Sequence, residues 1–290
     1  MPDLNLALTI NAPLARVWQA LTDNDDLTTW FAEHASCDAG QSRYDFWGKH
    51  TPGDPDRSGG QHRITRHEPE RHLAFEWKLR GATTDVEFEV SAEDTKTMLV
   101  MRHRGLPELK PYQSSIGDFW THVLEGLRFW LEGGAPYPLM DYHEPPQGDV
   151  RITVDIAADP HHVFLGLVQP TELNRWVATD AKVDPKPGGE YSYGWEHGPV
   201  KILEIEPDKK LSFAWSWPEE GETVTTWELD GSGGRTRVTV VQSGFAPDRN
   251  SEDYYIGWFK FVHRLKTMME VGKSFERVRV LQDAELSGEV

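Results

Sequence analysis

Ile64-Thr-Arg-His-Glu68-Pro69-Glu-Arg-His-Leu73-Ala-Phe75-Glu-Trp77 and Ile202-Leu-Glu-Ile-Glu206-Pro207-Asp-Lys-Lys-Leu211-Ser-Phe213-Ala-Trp215 are two readings of one pattern. They align without a gap at a spacing of 138 (202 − 64). A self-match at a fixed long spacing marks duplicated domains. In each stretch a Glu-Pro turn leads into a run whose every second residue is large and apolar, as in a strand with one buried face.

The match runs outward in both directions. At a spacing of 146, Ile10, Ala12, Val17, Trp18, Leu21, Leu27 and Trp30 fall on Ile156, Ala158, Val163, Phe164, Leu167, Leu173 and Trp176. Near the end of each copy the spacing is 138 again, with Trp120, Leu127 and Glu132 on Trp258, Leu265 and Glu270. The first copy therefore carries a net insertion of eight residues (146 − 138). Its place is Gly48–Gly60, where the second copy has Glu196-His197-Gly198. A Gly- and Pro-rich loop confined to one copy is expected to be either a functional lid or an unstructured segment.

Of the chain's 290 residues, 1–134 and 150–274 are expected to form the two domains. Residues 135–149, rich in Pro and Gly, form the expected linker, and 275–290 a charged tail without an assignment. A formal net charge of −17 argues against nucleic acid and anionic membrane as partners. No apolar run approaches the roughly 20 residues of a membrane span. The single Cys37 and the lack of a signal-peptide pattern suggest a cytoplasmic protein.

Leu4–Ile10 alternates as a strand, and Pro13 suits the start of a helix bearing Val17, Trp18 and Leu21. Asp159-Pro160 reads as a cap and helix start in the second copy. Strands follow at Leu73–Lys78, Asp85–Val90 and Thr97–His103, matched by Leu211–Trp217, Thr223–Leu229 and Thr236–Gln242. A long amphipathic helix closes each copy, with Trp120, Val123 and Leu127 on one face of the first and Trp258, Phe261 and Leu265 on that of the second. The connections are too short for crossover helices, so the sheets are antiparallel. Only the terminal helix is long enough to cover the ring-bearing face. The fold class is α+β, with a curved antiparallel sheet wrapped around a C-terminal helix, made twice.

These residues resemble the helix-grip, or START-like, superfamily, and within it the family named for the activator of heat-shock-protein-90 ATPase. The second copy carries nearly all of that pattern: Ile156-Ala-Ala, Val163-Phe164, Trp176, Asp184-Pro-Lys-Pro-Gly188-Gly189, Glu206-Pro207, Phe213, Trp215, Gly244-Phe245 and Trp258. The first copy departs from it, with Gln41-Ser42 for the Gly-Gly pair and Gly105-Leu106 for the Gly-Phe pair. The resemblance implies a fold whose members bind lipids, hormones or aromatic compounds, with some catalysing cyclisations. A co-chaperone role rests on the family name alone.

A sheet gripping a helix is expected to leave a space between them for an apolar ligand. Its lining is expected from Phe75, Trp77, Phe88, Met101, His103, Trp120, Val123 and Leu127 in the first copy. The second contributes Phe213, Trp215, Trp227, Val240, Gln242, Trp258, Phe261 and Leu265. His103 shares a strand face with Leu99 and Met101, and can orient a ligand's polar head near the rim. Its counterpart Gln242 does not titrate, which argues against shared acid–base chemistry. The same rings also read as plain core packing.

His62, His67 and His72 alternate faces around a Glu-Pro turn and do not read as a metal site. Cys37, aligned with Val183, reads as a small apolar residue, and Glu87 and Glu89 as solvated acids. No motif calls for a cofactor, and no catalytic residue emerges. The expected function is non-catalytic binding of a small apolar or aromatic molecule. The alternatives are a protein-interaction or co-chaperone-like module and, less supported, a cyclase- or hydrolase-like enzyme.

Overall fold

The hydrophobic alternation read from the sequence becomes two antiparallel sheets in the computed structural model, which describes residues 3–110, 113, 115–218 and 221–282. In the first copy the order is β1 (Leu4–Ile10), α1 (Leu14–Thr22), α2 (Asn24–Trp30), β2 (His34–Asp38), β3 (Arg43–Trp47), β4 (Ile64–Glu68), β5 (His72–Leu79), β6 (Ala82–Glu93), β7 (Lys96–Arg104) and α3 (Ile116–Leu131). In the second it is β8 (Val150–Ile156), α4 (Pro160–Val168), α5 (Pro170–Trp176), β9 (Lys182–Val183), β10 (Tyr191–Ser192), β11 (Gly198–Glu206), β12 (Lys210–Trp217), β13 (Gly221–Ser232), β14 (Arg235–Ser243) and α6 (Glu252–Val271), with β15 (Arg279–Val280) beyond it. The main sheets run β15-β1-β7-β6-β5-β4 and β11-β12-β13-β14-β8. Among the described residues no helix is long and apolar enough to cross a membrane.

Two units result. One holds the described residues up to Lys110, Ser115–Glu144 and 278–282; the other holds the described residues of 145–277. In the stretch expected as a linker, Tyr137, Met140 and Tyr142 are apolar enough to bury against the first unit. Within the expected tail, Val280 pairs with Leu6 and Arg279 with Ala7, so β15 extends the first sheet. The Val278 N–H adds a bond to Oε1 of the buried Glu125 on α3 at 3.2 Å.

Duplication reaches individual hydrogen bonds. The Trp30 indole N–H donates to the Ala20 carbonyl at 2.8 Å, and Trp176 to that of Gly166 at 3.0 Å. Tyr44 and Tyr191 donate to the carbonyls of Leu21 and Leu167, both at 2.7 Å. Thr97 and Thr236 donate to Ala12 and Ala158 at 2.8 and 2.7 Å. Glu132 accepts from the Asn11 N–H and Glu270 from the Ala157 N–H, at 2.8 and 2.9 Å. The Trp, Tyr and Thr bonds give buried polar groups their partners, and the Glu bonds repeat at the surface, so the two copies share one hydrogen-bonding frame. One local expectation changes: the Asp159 side chain does not cap α4 but accepts from the Gly234 N–H at 2.8 Å. Gly233 and Gly234 form that hairpin's turn with φ of +61° and +79°, where a side chain would be strained.

Candidate functional site

Both terminal helices lie on the ring-bearing faces. In the first copy the Trp120 ring is 5.7 Å from Phe88 and 5.8 Å from Trp77. In the second the Trp258 ring is 5.6 Å from Trp227 and 5.5 Å from Trp215. Phe75, Trp77, Phe88, Met101, His103, Trp120, Val123 and Leu127 are all buried, as are Phe213, Trp215, Trp227, Val240, Gln242, Trp258 and Leu265. Phe261 alone of the expected lining is half-buried.

His103 sits deeper than a rim position. Trp120 donates its indole N–H to Nδ1 of His103 at 2.9 Å, so Nε2 carries the ring proton and donates to the Thr84 hydroxyl at 2.7 Å. The Thr84 hydroxyl donates in turn to the Trp77 carbonyl at 3.0 Å. The imidazole stacks on Trp77 at 5.4 Å. Burial pushes its pKa down to about 3 from 6.5, so it is neutral at physiological pH. Both ring nitrogens are taken up inside the protein, so the polar-head role expected for His103 has no free nitrogen in this arrangement.

The second copy repeats the relay with an amide. Trp258 donates to Oε1 of Gln242, and Nε2 of Gln242 donates to the Thr223 hydroxyl at 2.9 Å. An amide, like a neutral imidazole, offers one acceptor and a donor. The His-to-Gln exchange thus preserves a structural bridge between helix and sheet.

Two residues absent from the expected lining fill the first copy. Phe31 stacks on Trp120 at 5.5 Å and meets Phe46 at 4.8 Å. Phe119 contacts Phe31, Trp77, Trp120 and Tyr142 at 5.9, 5.8, 5.1 and 5.7 Å. The insertion closes over this cluster. Thr51 and Gly60 are buried, and a Cβ on Gly53 would lie 2.8 Å from the Trp77 indole nitrogen. The Tyr142 N–H donates to the Lys49 carbonyl at 2.8 Å, and Nδ1 of His50 bonds the Met140 carbonyl at 2.9 Å. These bonds clamp the insertion to the segment after α3. It is a packed cover.

The second copy lacks these covers. By the same alignment, Phe31 becomes Val177, Phe119 becomes Gly257, and the insertion shrinks to Glu196-His197-Gly198. Three rings of this copy are only half-buried: Trp195, Tyr254 and Phe261, around the buried Trp215. Trp195 lies 5.7 Å from Phe261 and 6.1 Å from Trp215, and Trp215 lies 6.3 Å from Tyr254. In the same copy, the Trp215 and Trp227 N–H groups and the Thr225 hydroxyl are buried without a hydrogen-bond partner among the described residues. At the corresponding positions of the first copy stand Trp77, whose N–H is also unpartnered, Phe88 and Val86. The sequence signal for this difference between the copies was the alignment itself, since Phe119 opposite Gly257 is visible at a spacing of 138.

The remaining candidates are held locally. The His62 ring packs on Phe46 at 4.2 Å, His67 on Trp18 at 5.7 Å, and Nε2 of His72 lies 2.9 Å from Glu87. Glu87 also meets Arg102 and Arg104 at 3.4 and 3.1 Å, so it is an ion-pair centre where a solvated acid was expected. Burial, with a smaller push from Asp45, raises the Cys37 thiol to about 12, which leaves it protonated. No group of three or more metal-binding side chains occurs among the described residues.

Among solved structures, the Aha1 dimer from Colwellia psychrerythraea matches at 20% identity and a TM-score of 0.38, covering 43% of this chain and 98% of its own. An HSP90 activator from Plasmodium falciparum matches at 20% identity and 0.37, covering 42% and 96%. DynU16, a protein in the dynemicin biosynthetic locus, matches at 16% identity and 0.36, covering 92% and 98%. No curated protein matches the chain. The family described as Activator of Hsp90 ATPase homolog 1-like protein matches residues 11–132 and again 157–270. With both copies matched in this way, the chain belongs to that family.

Proposed function

We propose that the chain binds a small apolar or aromatic molecule without covalent chemistry, and that the second copy is the binding copy. The supporting observation is the half-buried ring set of Trp195, Tyr254 and Phe261 around the buried Trp215, at the place where the first copy is closed by its insertion and by Phe119. Aromatic walls of this kind reward planar ligands through stacking and edge contacts. The two polar relays serve the frame: they hold each helix on its sheet and take no part in chemistry. A reducing, cytoplasmic setting suits the lone thiol of Cys37. Calorimetric titration with one- and two-ring aromatics tests the reading. Wild type gives saturable heats, and Trp195→Ala weakens binding by about tenfold, the order expected for losing one aromatic wall. Absence of binding across the panel at millimolar ligand would end it.

A protein-contact role is the second reading. Val200, Leu203 and Trp217 are large apolar side chains exposed along β11 and the end of β12. The family name supplies the partner class, an Hsp90-type chaperone. Co-purification of such a chaperone that is lost with Trp217→Ser supports this reading, and unchanged recovery contradicts it.

A further inference from the structure

We propose that the outer face of the first sheet binds a phosphate monoester, in a groove ringed by Arg66, Arg71, Arg102 and Arg104. The site lies on the side of the sheet away from α3 and does not depend on the reading above.

The pleat and one small residue shape the groove. Phe75, Phe88 and Met101 turn toward the helix side and are buried, so their neighbours Ala74, Glu87 and Arg102 turn outward. In register these form a single row, Arg66–Ala74–Glu87–Arg102, across β4, β5, β6 and β7. Ala74 is the one short side chain in that row. The longer chains on either side of it bound a groove of about 340 Å³. The second copy builds the same row from Glu204, Ser212, Thr226 and Val241, with the Ser212 and Thr226 hydroxyls bonded to each other at 3.0 Å. There Arg71 becomes Lys209 and Arg104 becomes Ser243. The shared frame stands without the arginines, so the fold itself does not call for them.

Carboxylates orient these arginines without exhausting them. Glu87 meets Nη1 of Arg102 at 3.4 Å and Nη1 of Arg104 at 3.1 Å, and Nε2 of the buried His72 lies 2.9 Å from it. Glu89 takes the same Nη1 of Arg102 at 2.9 Å. Glu68 holds Arg66 at 2.8 Å and reaches Arg71 only at 3.4 Å, and Asp3 stands 3.9 Å from Nε of Arg104. A guanidinium carries five N–H donors. Nε and Nη2 of both Arg102 and Arg104 make no hydrogen bond among the described residues. Such spare forks match phosphate oxygens in paired hydrogen bonds. A chain with a formal charge of −17 repels anions at long range, so an anion bound here is held by local donors.

Titration of the full chain with glycerol 2-phosphate, at about 0.15 M sodium chloride to screen long-range charge, tests the proposal. Amide resonances of β6 and β7 should shift saturably while those of β13 and β14 stay in place. Arg71→Gln and Arg104→Ser change exposed side chains, and each should weaken binding by about fivefold. Ala74→Leu fills the gap without touching a charge and should abolish binding. Acetate at equal ionic strength should not compete. A phosphoserine peptide that binds more tightly than the glycerol ester assigns the monoester to a protein partner, and equal or weaker binding assigns it to a free metabolite. No saturable shift up to about 20 mM ester, unchanged affinity in Arg104→Ser, or equal competition by acetate overturns the site and leaves an ion-pair network on a sheet face. Unchanged binding in Ala74→Leu overturns the groove as its seat.

Discussion

The Trp120 indole donates its N–H to Nδ1 of His103 at 2.9 Å, pinning the C-terminal helix of the first copy to the middle of its sheet. Trp258 does the same to Gln242 in the second copy. The relay predicts an unequal response to two substitutions. His103→Gln restores an acceptor for Trp120 and a donor for Thr84, and should cost less than about 1 kcal/mol at pH 7. His103→Leu leaves the Trp120 N–H buried and unpaired, and should cost about 1–3 kcal/mol. Urea unfolding of the two variants checks this; equal losses would contradict the relay.

Stability should fall with mild acid. Burial is the largest cause of the depressed pKa values of His62 and His263, each about 4, and of His103, about 3, against 6.5 when unfolded. Each folded-state pKa lies below its unfolded value. The stabilisation is therefore complete above pH 6.5 and is lost as pH falls from there toward each folded value. Between pH 6 and 5 each histidine contributes a slope of up to about 1.4 kcal/mol per pH unit. His103→Gln should remove one of the three contributions. Unfolding midpoints across that range give the slope, and a variant as pH-sensitive as wild type would refute the assignment.

Replacing Gly48–Gly60 with Glu-His-Gly, the residues of the second copy, should uncover Trp77. The bonds from Tyr142 to Lys49 and from His50 to Met140 would go with it. Acrylamide should then quench the Trp77 fluorescence, read against a Trp77→Phe control. An unchanged quenching constant would show that the insertion is not the cover.

Leu281→Pro should loosen β15 and leave the second sheet intact, because proline removes the Leu281 N–H bond to the Asn5 carbonyl at 2.9 Å beside the Leu6–Val280 pair. Amide exchange in Leu4–Ile10 should quicken while Val150–Ile156 is unaffected. Equal change in both strands would deny β15 a local role.

How much of this was legible in the sequence depended on periodicity. Trp77 and Phe75 alternate on a strand, and Trp120 and Leu127 recur on a helix, so their burial followed from spacing alone. The positions of His103 and Gln242 aligned, but their shared donor–acceptor role required knowing that Trp120 and Trp258 reach them. Phe31 follows the last helical residue of α2, where neither period applies, and so passed unremarked. Gly257 escaped because an amphipathic reading scores side chains that are present. The two-residue β15 could not be read at all, since its partner lies more than 270 positions away in the chain.

Indole N–H resonances of 15N-tryptophan-labelled protein, followed through a titration with 1-indanone, test the asymmetry between the copies most directly. The account predicts saturable shifts at Trp195 and Trp215 with Trp77 and Trp120 unmoved. Shifts centred on Trp77 and Trp120, or none at Trp195 and Trp215, would contradict it.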